Sequence, residues 1–130
     1  MPAVKNERVA YQDSRERQVL TSAILNAAKL LDLPQAQLAK VIGVSAPTVS
    51  RMRNGNYQLD QQRKEWSFAI LFVRLFRSLD SMTAGRENDA RAWLHSVNHA
   101  LNGMRPVDLI SDISGLVHVV DYLDAIRGRV

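Results

Sequence analysis

Within the run SAPTVSRMR, Thr48, Ser50 and Arg51 stand close together with no acidic residue among them. On one short helix such side chains suit DNA. Hydroxyls hydrogen-bond phosphates and base edges, and a guanidinium bonds two acceptors at once, as on a guanine edge. Pro47 or Ala46 would lie where a thymine methyl can be met, Arg53 and Lys40 suit phosphates, and Gln35 sits where a preceding helix begins. Ser45 stands before the helix and suits its N-cap. A second chemistry is spelled less clearly. His95 and His99 are four apart, the spacing of a two-histidine metal face. The chain has no cysteine and its third histidine, His118, lies far along, so no metal site is expected. Asp108, Asp112, Asp121 and Asp124 read as helix caps and a solvated face. With no glycine-rich phosphate loop and no strained nucleophile turn, no catalytic residue or cofactor is assigned. A binding protein is expected, not an enzyme.

These side chains need elements to hold them. From Leu33 to Gly55 the sequence predicts two short helices crossing at a tight turn, a helix-turn-helix, with Leu38, Ala39, Ile42, Val44, Val49 and Met52 as the shared apolar face. Gly43 sits at the turn, where a positive φ is needed. Pro47 falls in the first turn of the second helix, where a missing N–H costs little. The second, recognition helix is expected to present Thr48, Ser50 and Arg51 outward, with Asn54 or Gly55 as its left-handed cap. Before it, Asp13 and Glu16 have capping-box spacing, which predicts a first helix from Asp13 to Leu31 buried along Val19, Leu20, Ala23, Ile24, Ala27 and Leu31. After it, residues 60–79 predict a long helix containing WSFAILFVRLF, apolar on nearly every side. A helix so apolar must be covered. Packing by the rest of the chain together with a second copy is expected, hence a homodimer; a core helix of a monomer is the alternative. Ala90, Trp93, Leu94, Val97 and Leu101 predict an amphipathic helix ending at Gly103. Pro106 opens a short turn of helix. Val117, Val120, Leu123 and Ile126 predict an inward face on a last helix capped by Asp112 or Ser114. No stretch alternates convincingly as a strand, so the fold class is all-α.

The chain has 130 residues, enough for one compact domain or two small units sharing a core, and 46% of them are hydrophobic. Its formal charge of +4 is unevenly placed. Residues 1–65 carry ten Lys and Arg against six Asp and Glu, while residues 66–130 carry seven of each. The positive charge therefore travels with the helix-turn-helix, as attraction to phosphate requires. The absence of cysteine fits a reducing compartment. The first twenty residues lack a signal-peptide core, and the most apolar run, Trp66 to Phe76, is too short to span a bilayer. A cytoplasmic protein without membrane attachment is expected.

The run AWLHSVNHALNGMRPVDLISDISGLVHVVDYLDAI resembles the toxin-binding domain of the Xre/MbcA/ParS antitoxin family. The residues carrying the likeness are Trp93-Leu94, Asn98, Leu101 with Gly103, Pro106 with Asp108, Leu109 and Ile110, then Gly115 and the apolar Val119 to Ile126. Val97 stands where the pattern often has Pro, and Asn102 replaces the first Gly of a Leu-Gly-Gly. The upstream helix-turn-helix is of the Xre type, although Ala46 follows Ser45 where many recognition helices have Gln, an adenine reader. Residues 1–12 are polar and without periodicity, which predicts a flexible tail. From there on, the resemblance implies a helix-turn-helix DNA-binding and dimerisation region (13–79) and a small helical toxin-binding domain (80–130). It implies an antitoxin that neutralises a RES-domain toxin acting on NAD and binds the operator of its own operon. It also places Trp93, Asn98, Arg127, Arg129 and Val130 at the toxin, with the carboxy-terminal end at the mouth of the toxin's active site. A plain Xre-type repressor whose carboxy-terminal half dimerises or senses a ligand is the other reading the residues leave open.

Overall fold

A computed structural model describes residues 2–128. It is all-α. In order come α1 (Pro2–Leu30), α2 (Gln35–Ile42), α3 (Ala46–Arg53), α4 (Lys64–Met82), α5 (Glu87–His95), a 3₁₀ turn (His99–Leu101), α6 (Pro106–Leu109) and α7 (Ile113–Gly128). An isolated bridge between Asn98 and Met104 is the single β-type pairing among the described residues. No helix among them is long and apolar enough to cross a membrane.

Helix α4 is the axis of the core. Ala69, Phe72, Leu75 and Leu79 lie on it with no exposure, and α1, α2, α5 and α7 pack around it. Burying side chains of this size stabilises by about 1.5–3 kcal/mol each. The seam between α4 and α7 is partly polar. Arg74 pairs with Asp124, Ser78 donates to the other Asp124 oxygen at 3.3 Å, and Arg127 Nη1 donates to the buried Ser78 hydroxyl at 3.1 Å.

The helix-turn-helix leans on the same core. Gly43 ends α2 at φ +73°, and a Cβ there would also press on the Phe68 ring at 3.0 Å. Ser45 caps α3, accepting from Thr48 N, and Pro47 lies in the first turn. Gly55 takes the left-handed conformation after α3. Three polar stitches join α1 and α2 to the carboxy-terminal helices. Arg91 Nη1 donates to Leu30 O at 2.9 Å, His95 Nε2 meets Leu31 O at 2.9 Å, and Gln37 Nε2 donates to Val107 O at 2.7 Å. The first two satisfy carbonyls that the end of α1 leaves without helical partners.

Several expectations are corrected. Residues 2–12, expected as a flexible tail, are helical. Helix α1 starts at Pro2 and not at Asp13, so the Asp13–Glu16 pair lies inside a helix and caps nothing; Glu16 instead accepts from Gln61 Nε2 at 2.8 Å. Val19 is exposed, because the buried stripe of α1 runs through Ile24, Ala27, Ala28 and Leu31. The long central helix starts at Lys64, since Asp60 accepts from Gln62 N and holds the preceding turn. The helix expected to reach Gly103 stops at His95. There Ser96 is extended, Asn98 pairs with Met104, and Asn102 and Gly103 both take positive φ. Asn tolerates that conformation better than most residues, which is how Asn102 serves where the family pattern has Gly. His95 and His99 thus do not share a helix, and no cluster of metal-ligating side chains occurs among the described residues. Val117, expected inward, is 38% exposed; Leu116, Val119 and Val120 are the buried residues around it.

Of the two possible caps on α7, Asp112 serves: its Oδ1 accepts from Gly115 N at 2.8 Å. Gly115 itself is dictated by space. A Cβ there would sit 1.8 Å from the Leu109 carbonyl oxygen and 2.6 Å from its carbon. Gly115→Ala must therefore push α6 and α7 apart. A loss of about 3 kcal/mol, seen as a fall of roughly 10 °C in the thermal unfolding midpoint, is expected by circular dichroism.

Candidate functional site

Helix α3 lies at the surface with its apolar side, Val49 and Met52, in the core. Its solvent side carries Pro47, Arg51 and Arg53, with Ala46 and Ser50 half-buried. Thr48 departs from expectation. It is 9% exposed, and its hydroxyl turns along the helix, not outward. Thr48 Oγ1 lies 2.9 Å from Ser45 Oγ and accepts from Arg51 Nη2 at 2.9 Å. Ser45, Thr48 and Arg51 therefore form one chain of hydrogen bonds at i, i+3, i+6. The exposed guanidinium of Arg51 is held by one nitrogen while the rest faces solvent. An arginine pre-oriented in this way loses less side-chain entropy on bonding a base edge or phosphate than a free one.

Gln35, at the start of α2, donates from Nε2 to Ala46 O at 3.0 Å. It ties the beginnings of the two helices together, so the structure brings it to the recognition helix as a brace. Behind α3, the segment from Tyr57 to Asp60 is fastened from both sides. Arg17 donates to Leu59 O at 2.7 Å and to Gln58 O at 3.2 Å, and Leu59 N donates to Thr21 Oγ1 at 2.9 Å. The carboxylate of Glu65, 5% exposed, accepts from Tyr57 Oη at 2.8 and 2.9 Å and from Asp60 N at 3.0 Å. Burial, reinforced by the bond to Glu65 and by its charge, raises the Tyr57 pKa above the ordinary 10.0. The neutral phenol is thus the form that fits, and the stability it brings is present below pH 10 and lost as pH rises beyond. Arg17, Arg51 and Arg63 line an open cleft of about 610 Å³ beside α3 together with Ser45, Thr48, Asp60 and Glu65. Arg63 lies 4.0 Å from Asp60, and Arg17 is engaged by the carbonyls of Leu59 and Gln58. That leaves Arg51 as the guanidinium there with no carboxylate or backbone partner among the described residues.

The carboxy-terminal candidates divide differently. Trp93 is half-buried and stacks on Tyr122 at 6.3 Å between centroids and 16° between planes. Asn98 caps the 3₁₀ turn, its side chain accepting from Ala100 N at 2.9 Å. Arg127 is turned onto α4 through Ser78. Arg129 and Val130 lie outside the described residues. What this part of the surface does offer is apolar: Met104, itself in the bridge with Asn98, is 46% exposed, Val97, next to Asn98 in sequence, is 60% exposed, and Ile113 and Val117 are exposed one turn apart on α7. The sequence reading missed these, having placed Val97 and Val117 in the core. The Thr48–Arg51 bond was findable, being an i, i+3 pair on one helix face.

An all-α chain that couples a capped, basic helix-turn-helix to a small helical unit with exposed apolar side chains is of the helix-turn-helix class, organised for binding. Comparison with known proteins narrows the class. Residues 12–74 match the antitoxin Xre-like helix-turn-helix domain, and residues 78–129 match the antitoxin Xre/MbcA/ParS C-terminal toxin-binding domain. The probable mycobacterial cidal antitoxin Rv3188 of Mycobacterium tuberculosis is 32% identical over 96 residues, which cover 74% of this chain and 78% of that protein. The crystal structure of the M. tuberculosis MbcT-MbcA toxin-antitoxin complex contains a chain that superposes with a TM-score of 0.60 at 25% identity, covering 86% of this chain and 96% of that one. The protein belongs to the Xre/MbcA/ParS antitoxin family, whose members bind and regulate and are not enzymes.

Removing the acceptor that holds Arg51 tests the arrangement of α3. In fluorescence-anisotropy titrations with duplex DNA from the upstream region, Arg51→Ala is expected to weaken binding by about 1–3 kcal/mol. Thr48→Val, of the same shape, is expected to give a smaller loss in the same direction. Equal binding by all three proteins would remove Arg51 from the interface.

Proposed function

We infer that the protein neutralises a toxin through its carboxy-terminal helices and represses its own operon through α3. The observation carrying this reading is the union, in one chain, of a recognition helix with a pre-oriented arginine and a segment matched to a toxin-binding domain. The solved relative is a toxin-antitoxin complex, which supports a protein partner for this chain. The family resemblance supports a RES-domain enzyme acting on NAD as that partner, and the cytoplasm, beside the DNA, as the place of action.

Neutralisation is steric in this reading. The toxin-facing residues are the exposed Val97 and Met104 and the exposed Ile113 and Val117, with the outer edge of Trp93 as a flank. Burying such anchors away from water supplies affinity, and the surrounding arginines supply register. Asn98 contributes through the loop it caps. Arg127, bound to Ser78, helps fix the end of α7, so Arg129 and Val130 remain the candidates for reaching the toxin's pocket. Two copies of the chain would offer two recognition helices to a palindromic operator, with half-sites about 34 Å apart. Gln35, Ser45, Ala46, Pro47, Thr48, Ser50, Arg51 and Arg53 then compose the DNA face, Thr48 and Gln35 as supports and Arg51 as the principal contact.

Capture of the tagged protein from its native host is expected to recover one stoichiometric partner encoded by the neighbouring reading frame. The double variant Met104→Asp, Val117→Asp is expected to lose that partner, with at least about a hundredfold weaker affinity, while keeping its helix content and operator binding. Recovery of DNA and the protein itself alone would sink the antitoxin reading for this chain. Retention of the partner by the double variant would move its surface elsewhere on residues 78–129.

A further inference from the structure

The amino-terminal half of α1 has no visible reason to be a helix on its own. Residues 7–16 are all exposed, and ten residues of helix carry it about 15 Å. It continues a 29-residue helix and needs no nucleus of its own. Helices in proteins, however, draw most of their stability from a packed face, and residues 7–16 have none within the described chain. One stripe of it, at i, i+4, i+7 and i+11, reads Val9, Asp13, Glu16 and Leu20, which places them on a common face. The stripe begins apolar, turns acidic and enters the body at Leu20.

At that point lies a groove of the opposite character. Leu20, Ile70 and Val73 line it, with Arg74, Arg77 and Arg127. Ile70 is 48% exposed, on a helix that is otherwise the axis of the core. Arg74 and Arg127 are held by Asp124 and Ser78. Arg77 is exposed and has no hydrogen bond or ion pair among the described residues. The chain thus carries an apolar-acidic stripe and an apolar-basic groove as separate surfaces, each suited to the other in apolarity and in charge.

We propose that a second copy of this chain occupies the groove, the free half of each α1 lying across the Leu20–Ile70–Val73 surface of the other. The pairing rests on the two-copy reading above and assigns it a surface. Each copy gives one stripe and receives one, so a two-fold axis satisfies both surfaces and the assembly closes as a dimer. Val9 covers the apolar floor, and Asp13, with the Glu16 oxygen that Gln61 leaves free, supplies carboxylate to the arginine rim, giving the contact its register. The dimer is built on α1 and α4, leaving α3 and the apolar residues of α7 free for other partners.

Sedimentation equilibrium of the full chain over a concentration series tests this. The wild type is expected to be a dimer. Ile70→Glu, at an exposed position, is expected to keep its helical circular dichroism and weaken self-association at least about tenfold, because the carboxylate would be buried against Val9. Arg77→Glu and the double variant Asp13→Arg, Glu16→Arg are each expected to be weakened. Mixed in equal amounts, these two are expected to dimerise again, because each stripe then meets a groove of opposite sign. A monomeric wild type overturns both the surface and the two-copy reading. A dimeric wild type with every variant equally dimeric overturns the surface alone. Folded variants that stay apart when mixed overturn the reciprocal pairing.

Discussion

Phe72, Leu75 and Leu79 are wholly withdrawn from water on a helix whose remaining faces are also largely apolar. A 19-residue helix of that kind has no stable solvated form, and the other elements are disposed to cover it. Helix α1 lies along one side, α2 brings the helix-turn-helix against another, and α7 closes a third. The recognition helix is not part of this jacket. It is carried by α2 and by the fastened segment behind it, so its solvent side is free of packing duties. A core organised around one element thereby leaves two outer regions, α3 and the carboxy-terminal turns, outside it.

Buried polar groups then fix what the apolar core leaves loose. A hydrophobic contact has no preferred direction, whereas a hydrogen bond does. Glu65 is a carboxylate taken out of water, which would be costly without donors; Tyr57 and Asp60 N supply them. Arg17 and Thr21 do the same for the backbone around Leu59. The result is a fixed anchor for the carboxy-terminal end of α3. Ser45 fixes the other end, and Thr48 extends that order outward to Arg51.

Much of this was legible in the sequence. Periodicity found the two short helices and the long apolar one, and Gly43, Ser45, Pro47 and Gly55 marked their ends through turn and cap chemistry. The family pattern also placed Gly115, although its reason, the approach of the Leu109 carbonyl, is visible only in three dimensions. Other features were hidden for physical causes. The helical start of α1 carries no cap signal and little apolar periodicity. Val97 and Leu101 fit a helical repeat, but Asn98 gains a backbone partner across a tight turn, and that non-local bond ends the helix. Composition predicts Thr48 as an outward polar residue because it does not tell a solvated hydroxyl from one held by neighbours. Val117 resembles Val119 in every local respect, and only the position of α4 decides which one is buried.

The stitches that join the amino-terminal and carboxy-terminal helices have an evolutionary side. Arg91 and His95 reach the carbonyls of Leu30 and Leu31, and Gln37 reaches that of Val107. In each case a side chain on one part meets backbone on the other, and a backbone carbonyl is present whatever residue carries it. The joint is therefore blind to sequence on its receiving side. At these three points each half can drift without a matching change in the other, whereas between α4 and α7 the Arg74–Asp124 pair ties one side chain to another. Where the stitches lie, the chain has no need to match one of its own surfaces to another.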